Sequence, residues 1–190
     1  VILISGSGAQ NRDENIFNFK PFAILADSFK HAKIASFRYD DRQVGKSTGS
    51  FADATLSDLA SDVDAIISYF KNSYDGFNFS EIILLGHSQG GVVAGKVANE
   101  NNAVDKLILM ASTGVSLKEV LRFQVEQAYG VGVYPKKKVE HEIALREAIM
   151  HAIQRDKGVE EAKKTYAKFY RSMLNNLPEA QKSAIPNLDE

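Results

Sequence analysis

In Ile82-Ile83-Leu84-Leu85-Gly86-His87-Ser88-Gln89-Gly90-Gly91-Val92-Val93-Ala94 a strand pattern runs into a helix pattern with no spacer. The apolar run predicts a strand over Glu81–Gly86, covered on both faces, and the residues after Ser88 predict a helix over Gln89–Asn101. Glycine occupies both Gly86 and Gly90, where a side chain would collide as strand and helix approach. A serine on such a turn is held in a strained conformation with its hydroxyl pushed above the sheet. The helix N-terminus adds positive potential and a free amide, that of Gln89, beside it. The bare G-x-S-x-G pattern is common by chance; the strand before it and the helix after it make it specific.

The same alternation extends to either side. Further strands are predicted over Val1–Ser5, Ile34–Tyr39 and Lys106–Ala111, each short and apolar. Between them, Pro21–His31 carries Phe22, Leu25, Ala26 and Phe29 on one helical face. A second helix carries Leu56, Leu59, Ala60, Val63, Ile66, Ile67 and Phe70, with Thr55 and Asp58 as its cap signal. Strand and helix in strict alternation imply an α/β fold: a parallel sheet with right-handed crossovers and helices on both faces.

After Ser112 the texture changes. Three helical stretches follow without a strand, near Leu117–Tyr129, Val139–Gln154 and Val159–Leu177, punctuated by Gly130-Val131-Gly132, Pro135 and Gly158. The pattern divides the chain into a sheet-containing core, residues 1–114, and a helical cap region, residues 115–190. Lys136-Lys137-Lys138 reads as a solvated helix entrance.

Composition narrows the function. A net charge of -1 gives no pull toward nucleic acid or a membrane surface. No apolar run approaches the roughly 20 residues needed to cross a bilayer. The chain has no cysteine, which excludes disulfides and thiolate chemistry and fits the cytoplasm, while leaving a periplasmic or secreted protein open. No cofactor is implied. Gly45-Lys46-Ser47 resembles the end of a phosphate loop, but Asp40 stands where its first glycine belongs. Gly6-Ser7-Gly8 lacks the third glycine of a dinucleotide site, Asn11 standing there. The four histidines show no metal-ligand spacing.

A serine hydroxyl becomes a nucleophile only when a base takes its proton, and the oxyanion it generates needs two donors. Gln89 N–H is one. The small-residue loop Ser5-Gly6-Ser7-Gly8, after the first strand, offers the other, with Ser7 N–H preferred to Gly8.

Three segments together resemble the bacterial α/β-hydrolases of the serine aminopeptidase and dienelactone-hydrolase-like branch, mostly esterases. They are Ser5-Gly6-Ser7-Gly8-Ala9-Gln10-Asn11-Arg12-Asp13-Glu14, Phe37-Arg38-Tyr39-Asp40-Asp41-Arg42-Gln43-Val44-Gly45-Lys46-Ser47, and Gly86-His87-Ser88-Gln89-Gly90-Gly91. The resemblance covers about Val1 to Ser112. It implies the α/β-hydrolase fold with a helical cap, and a small-molecule ester or amide substrate cleaved through an acyl-enzyme on Ser88. Gln43 departs from the family pattern, which has glycine there. Arg12 or Arg42 is expected to pair with Asp13, Asp40 or Asp41.

The family order is serine, then acid, then histidine, the last two on loops after further strands. No such strands are predicted before Glu190, and Ser112-Thr113-Gly114 offers no acid. His31 and His87 precede the serine, and His141 and His151 fall in the helical region. The chain therefore reads as the middle of a longer hydrolase, opening inside a strand at Val1-Ile2-Leu3-Ile4, inactive without its triad acid and base. A peptidase or acyltransferase uses the same acyl-enzyme, and a non-catalytic binding member of the fold is the third reading.

Overall fold

Every strand in the sheet is parallel, and the strand order is β2-β1-β3-β4. The structure is a computed structural model that describes residues 1–72, 74–128 and 135–174. β1 (Ile2–Ile4), α1 (Pro21–His31), β2 (Phe37–Arg38), α2 (Leu56–Asn72), β3 (Ile83–His87), α3 (Gln89–Glu100) and β4 (Lys106–Met110) form the first part. α4 (Leu117–Ala128), α5 (Lys136–Gln154) and α6 (Val159–Leu174) follow. The chain divides into two compact units, Val1–Gly114 and Val115–Glu190.

Alternation along the central strands sorts the core into two layers. Ile2, Ile4 and Leu84 face Ala60, Val63 and Ile67 of α2 and Val93, Ala94 and Val97 of α3. Leu3 and Leu85 face the opposite way, onto Phe22, with Leu25 and Phe29 of α1 packed around them. Helices thus cover both faces, and β1 and β3 are buried because they are the two inner strands.

The outer strands depart from expectation. β2 is two residues long, not the six of Ile34–Tyr39, because Ile34 N–H donates to the Phe29 carbonyl at 2.8 Å and stays tied to the end of α1. β4 was expected to be covered on both faces, yet Leu107, Ile108 and Leu109 are 39%, 42% and 57% exposed. It is the terminal strand of the described sheet, with a strand neighbour on one side.

The Thr55 cap forms as a reciprocal box: Thr55 N–H donates to Asp58 Oδ2 at 2.8 Å and Asp58 N–H to Thr55 Oγ1 at 3.2 Å. Ser116 and Glu119 make the same box at α4, with Ser116 N–H donating to Glu119 Oε2 at 3.0 Å. The S-x-x-E spacing of Ser116 and Glu119 is the sequence signature of that box. α5 starts at Lys136 rather than Val139, so the three lysines form its first turn, where Lys136 lies 3.7 Å from Glu140. Within the helical unit α5 packs against both α4 and α6, with Ile143 and Val125 buried. The expected ends at Tyr129 and Leu177, and the Gly130-Val131-Gly132 break, lie outside the described residues.

Gly95 sits inside α3 with nothing within 4 Å of where a Cβ would stand. Gly95→Ala is therefore expected to stabilise the whole protein by about 0.5–1 kcal/mol in chemical denaturation, through helix propensity and a less flexible unfolded chain. A destabilised variant would contradict the open space.

Candidate active site

Parallel strands bring their carboxyl ends to one edge, and the loops leaving β1, β2 and β3 gather there. At the end of β3, Ser88 takes φ 52° and ψ -119°, a left-handed conformation that is unfavourable for a residue with a Cβ. Its N–H donates to the Met110 carbonyl at 3.0 Å and its carbonyl accepts from Gly91 N–H at 3.1 Å. The serine precedes α3 without capping it through its side chain, so the hydroxyl is not consumed by the helix. Gln89 is the first residue of α3, and its N–H has no carbonyl one turn earlier in that helix.

Close backbone approach holds this turn in place. A Cβ on Gly86 would stand 2.3 Å from the Gly90 carbonyl oxygen, and one on Gly90 would stand 2.2 Å from that of Ile4. The loop after β1 lies directly behind the serine, since a Cβ on Gly6 would come within 3.3 Å of Ser88 Cβ. Gly6 N–H is engaged by Glu14 at 2.6 Å, whereas no described residue accepts from Ser7 N–H. The serine thus has Gln89 directly after it at the start of α3 and Gly6, the residue before Ser7, packed against its Cβ. Gly8, the second choice, lies one residue further along at φ 87°.

The charged residues around the loops pair as expected for Arg12 and differently for Arg42. Arg12 does grip Asp40, with Nε at 3.1 Å, Nη2 at 2.6 Å and its own N–H at 2.8 Å. Arg42 instead reaches Asp62 on α2, at 2.7 and 2.9 Å, because α2 passes beside the loop. Asp13 pairs with Arg38. Asp41 takes no arginine; it accepts from the Ser5 hydroxyl at 2.9 Å and from Gln10 N–H at 2.9 Å. Burial raises the Asp41 carboxyl above its ordinary value, against the pull of those two donors. Gln43, standing where the family pattern has glycine, has φ 69°, the region glycine enters most easily.

Arg12 holds the Asp40 carboxyl down at about 2. An unfolded aspartate titrates near ~3.9, so between those values the unfolded chain binds more protons than the folded one. The pair therefore stabilises fully above about pH 5, and its contribution fades as pH falls through 2. Asp40→Asn is expected to cost stability at neutral pH and progressively less below about pH 4, measured by denaturation across that range. A cost that grows on acidification would overturn the pairing.

None of the described histidines hydrogen-bonds the Ser88 hydroxyl. His31 Nδ1 lies 2.8 Å from the Asp27 carbonyl oxygen, and the His141 ring stacks edge-on against Phe169 at 4.9 Å. His87 is turned onto Glu14, a residue that sequence reasoning passed over. Nothing in the local sequence marks Glu14 as buried; its partner is 73 residues away. Among the described residues no group of three or more His, Cys, Asp or Glu is placed to hold a metal ion, and no helix is long and apolar enough to cross a membrane.

A parallel sheet covered on both faces, with a serine at positive φ between the third strand and its helix, defines an α/β hydrolase. The chain belongs to the family described as serine aminopeptidase, S33, whose model matches residues 19–185. It is 25% identical over 133 residues to "Esterase EstD" of Thermotoga maritima, an alignment covering 70% of this chain and 31% of that protein. The chain thus spans under a third of that relative's length. It is also similar to a monoacylglycerol lipase of Paleococcus ferrophilus (16% identity, 69% of this chain and 46% of that one, TM-score 0.47). A mouse α/β-hydrolase domain-containing protein 10 aligns at 21% identity, 74% and 48% coverage and TM-score 0.46.

Proposed function

We propose that the whole protein is a serine hydrolase that cleaves carboxylic esters through an acyl-enzyme on Ser88. The observation that carries this is Ser88 itself, at φ 52° between β3 and α3, with its hydroxyl left free by the helix it precedes. Ser88 Oγ attacks the ester carbonyl carbon, and the carbonyl electron pair moves onto oxygen. The N–H groups of Gln89 and Ser7 receive that oxyanion. Collapse breaks the C–O bond to the alcohol, which leaves with the proton taken from Oγ, and water then hydrolyses the acyl-enzyme. The proton needs a base, and no described histidine touches Oγ, so the activity is assigned to the whole protein. Val115–Glu190 is assigned the cap on its place in the sequence, after the fourth strand.

The esterase relative supports an ester substrate, and the family description supports a peptide as the second reading. Both use the same acyl-enzyme. Comparing kcat/KM on an ester and an amide with the same acyl group separates them.

The first test is covalent labelling of the intact protein by a fluorophosphonate, with Ser88→Ala as control. Labelling that disappears in the variant supports the proposal. A folded protein that does not label would leave a non-catalytic member of the fold.

A further inference from the structure

Glu14 is 1% exposed, and nothing in the chemistry assigned to Ser88 uses it. Its position is an unfavourable one. The backbone sits at φ 51°, and Oε2 is buried with no hydrogen-bond partner among the described residues. Strained backbone and under-satisfied buried carboxylates persist where the surroundings hold them, and they concentrate at functional sites.

The partners of Oε1 give the placement its meaning. Gly6 N–H donates to it at 2.6 Å, and His87 Nδ1 lies 2.6 Å from it. Gly6 is the residue before Ser7, and His87 is the residue before Ser88. One carboxylate oxygen therefore bridges the two segments whose next residues carry the oxyanion donor and the nucleophile. There is little slack between them: a Cβ on Gly6 would stand 3.1 Å from Glu14 Oε1 and 3.4 Å from His87 Nδ1. The far side of the same loop is held toward β2, by Asp40 on Arg12 and Asp41 on Gln10. Among the described residues, the Glu14 contact with His87 is the side-chain hydrogen bond from this loop to the end of β3.

Building on the function proposed above, the geometry points to Glu14 as a positioning residue of the oxyanion hole, setting the Ser7 N–H against Ser88 by tying Gly6 to His87. Glu14 touches no substrate. It acts through the distance between two backbone segments, a distance to which transition-state stabilisation is steep: a misplacement of about 1 Å can cost ~10²-fold in rate.

The test uses the whole protein and compares Glu14→Asp with Glu14→Gln. Aspartate keeps the charge but is one carbon too short to reach both partners. Glutamine keeps an oxygen that can accept from both N–H groups. Glu14→Asp is expected to lower kcat for an ester by about 10²-fold with KM within about threefold, and to weaken a trifluoromethyl ketone by the same factor as kcat/KM. Glu14→Gln is expected to recover to within about tenfold of the native kcat. A merely structural carboxylate would lower the melting temperature but leave kcat per titrated active site unchanged.

Should Glu14→Asp not fold, His87→Phe cuts the same tie from a partly exposed position, and His87→Asn restores a nitrogen donor near Nδ1. A folded Glu14→Asp or His87→Phe with kcat within about threefold of native, in a protein that labels with fluorophosphonate, overturns this proposal alone. A native protein that does not label overturns the proposed function and this inference with it.

Discussion

Replacing Ser88 with alanine is expected to lower ester turnover by the whole protein about 10⁴- to 10⁶-fold and to abolish fluorophosphonate labelling. The substitution removes the hydroxyl proposed to attack and little else. Alanine carries the same Cβ, so the strain of φ 52° is carried over unchanged, and the backbone bonds to Met110 and Gly91 remain. Stability should therefore stay within about 0.5 kcal/mol, which separates loss of chemistry from loss of fold. Some rate over water should survive, because the substitution leaves in place the Gln89 and Ser7 amides proposed to receive the oxyanion. Initial rates normalised to folded protein measure the effect. A variant within tenfold of native, on the scale of about 10² for one lost oxyanion donor, would remove Ser88 from the reaction.

The second large effect concerns the turn rather than the hydroxyl. Gly90→Ala is expected to destabilise the protein by about 3–5 kcal/mol. Its Cβ would stand 2.2 Å from the Ile4 carbonyl oxygen and 2.5 Å from that of Ser5. Both are backbone atoms, and Ile4 is held in the ladder against Gly86, so neither can swing aside as a side chain would. The start of α3 must move off β1, taking Ser88 with it. Gly95→Ala, five residues along the same helix, meets nothing and should stabilise. The same exchange in one helix with opposite signs isolates close approach from helix propensity. Denaturant midpoints of the two variants measure this directly, and a Gly90→Ala protein within about 1 kcal/mol of native would contradict the packing.

Much of the site was legible because its parts are contiguous. Ile82 to Gly91 spell strand, turn and helix in one run, and the strain at Ser88 follows from joining them without a spacer. Thr55 and Asp58 meet three residues apart, so their cap was also readable. Arg12 found an aspartate of the anticipated set, whereas Arg42 took Asp62, because a helix 20 residues on passes closer than the loop's own acids. Periodicity marked β4 as apolar and could not say what covers it. Its exposed Leu109 comes from its outer place in the strand order.

By itself the sequence determined the alternation of strands and helices, the serine at the end of the third strand, and the glycines that let that turn close. These depend on side chains within a few positions of one another. Only the tertiary structure decided that Glu14 is buried and that its carboxylate joins Gly6 to His87. A hydrogen bond across 73 residues exists only once β1 and β3 lie side by side, and no local pattern records which loop residue will then face the turn.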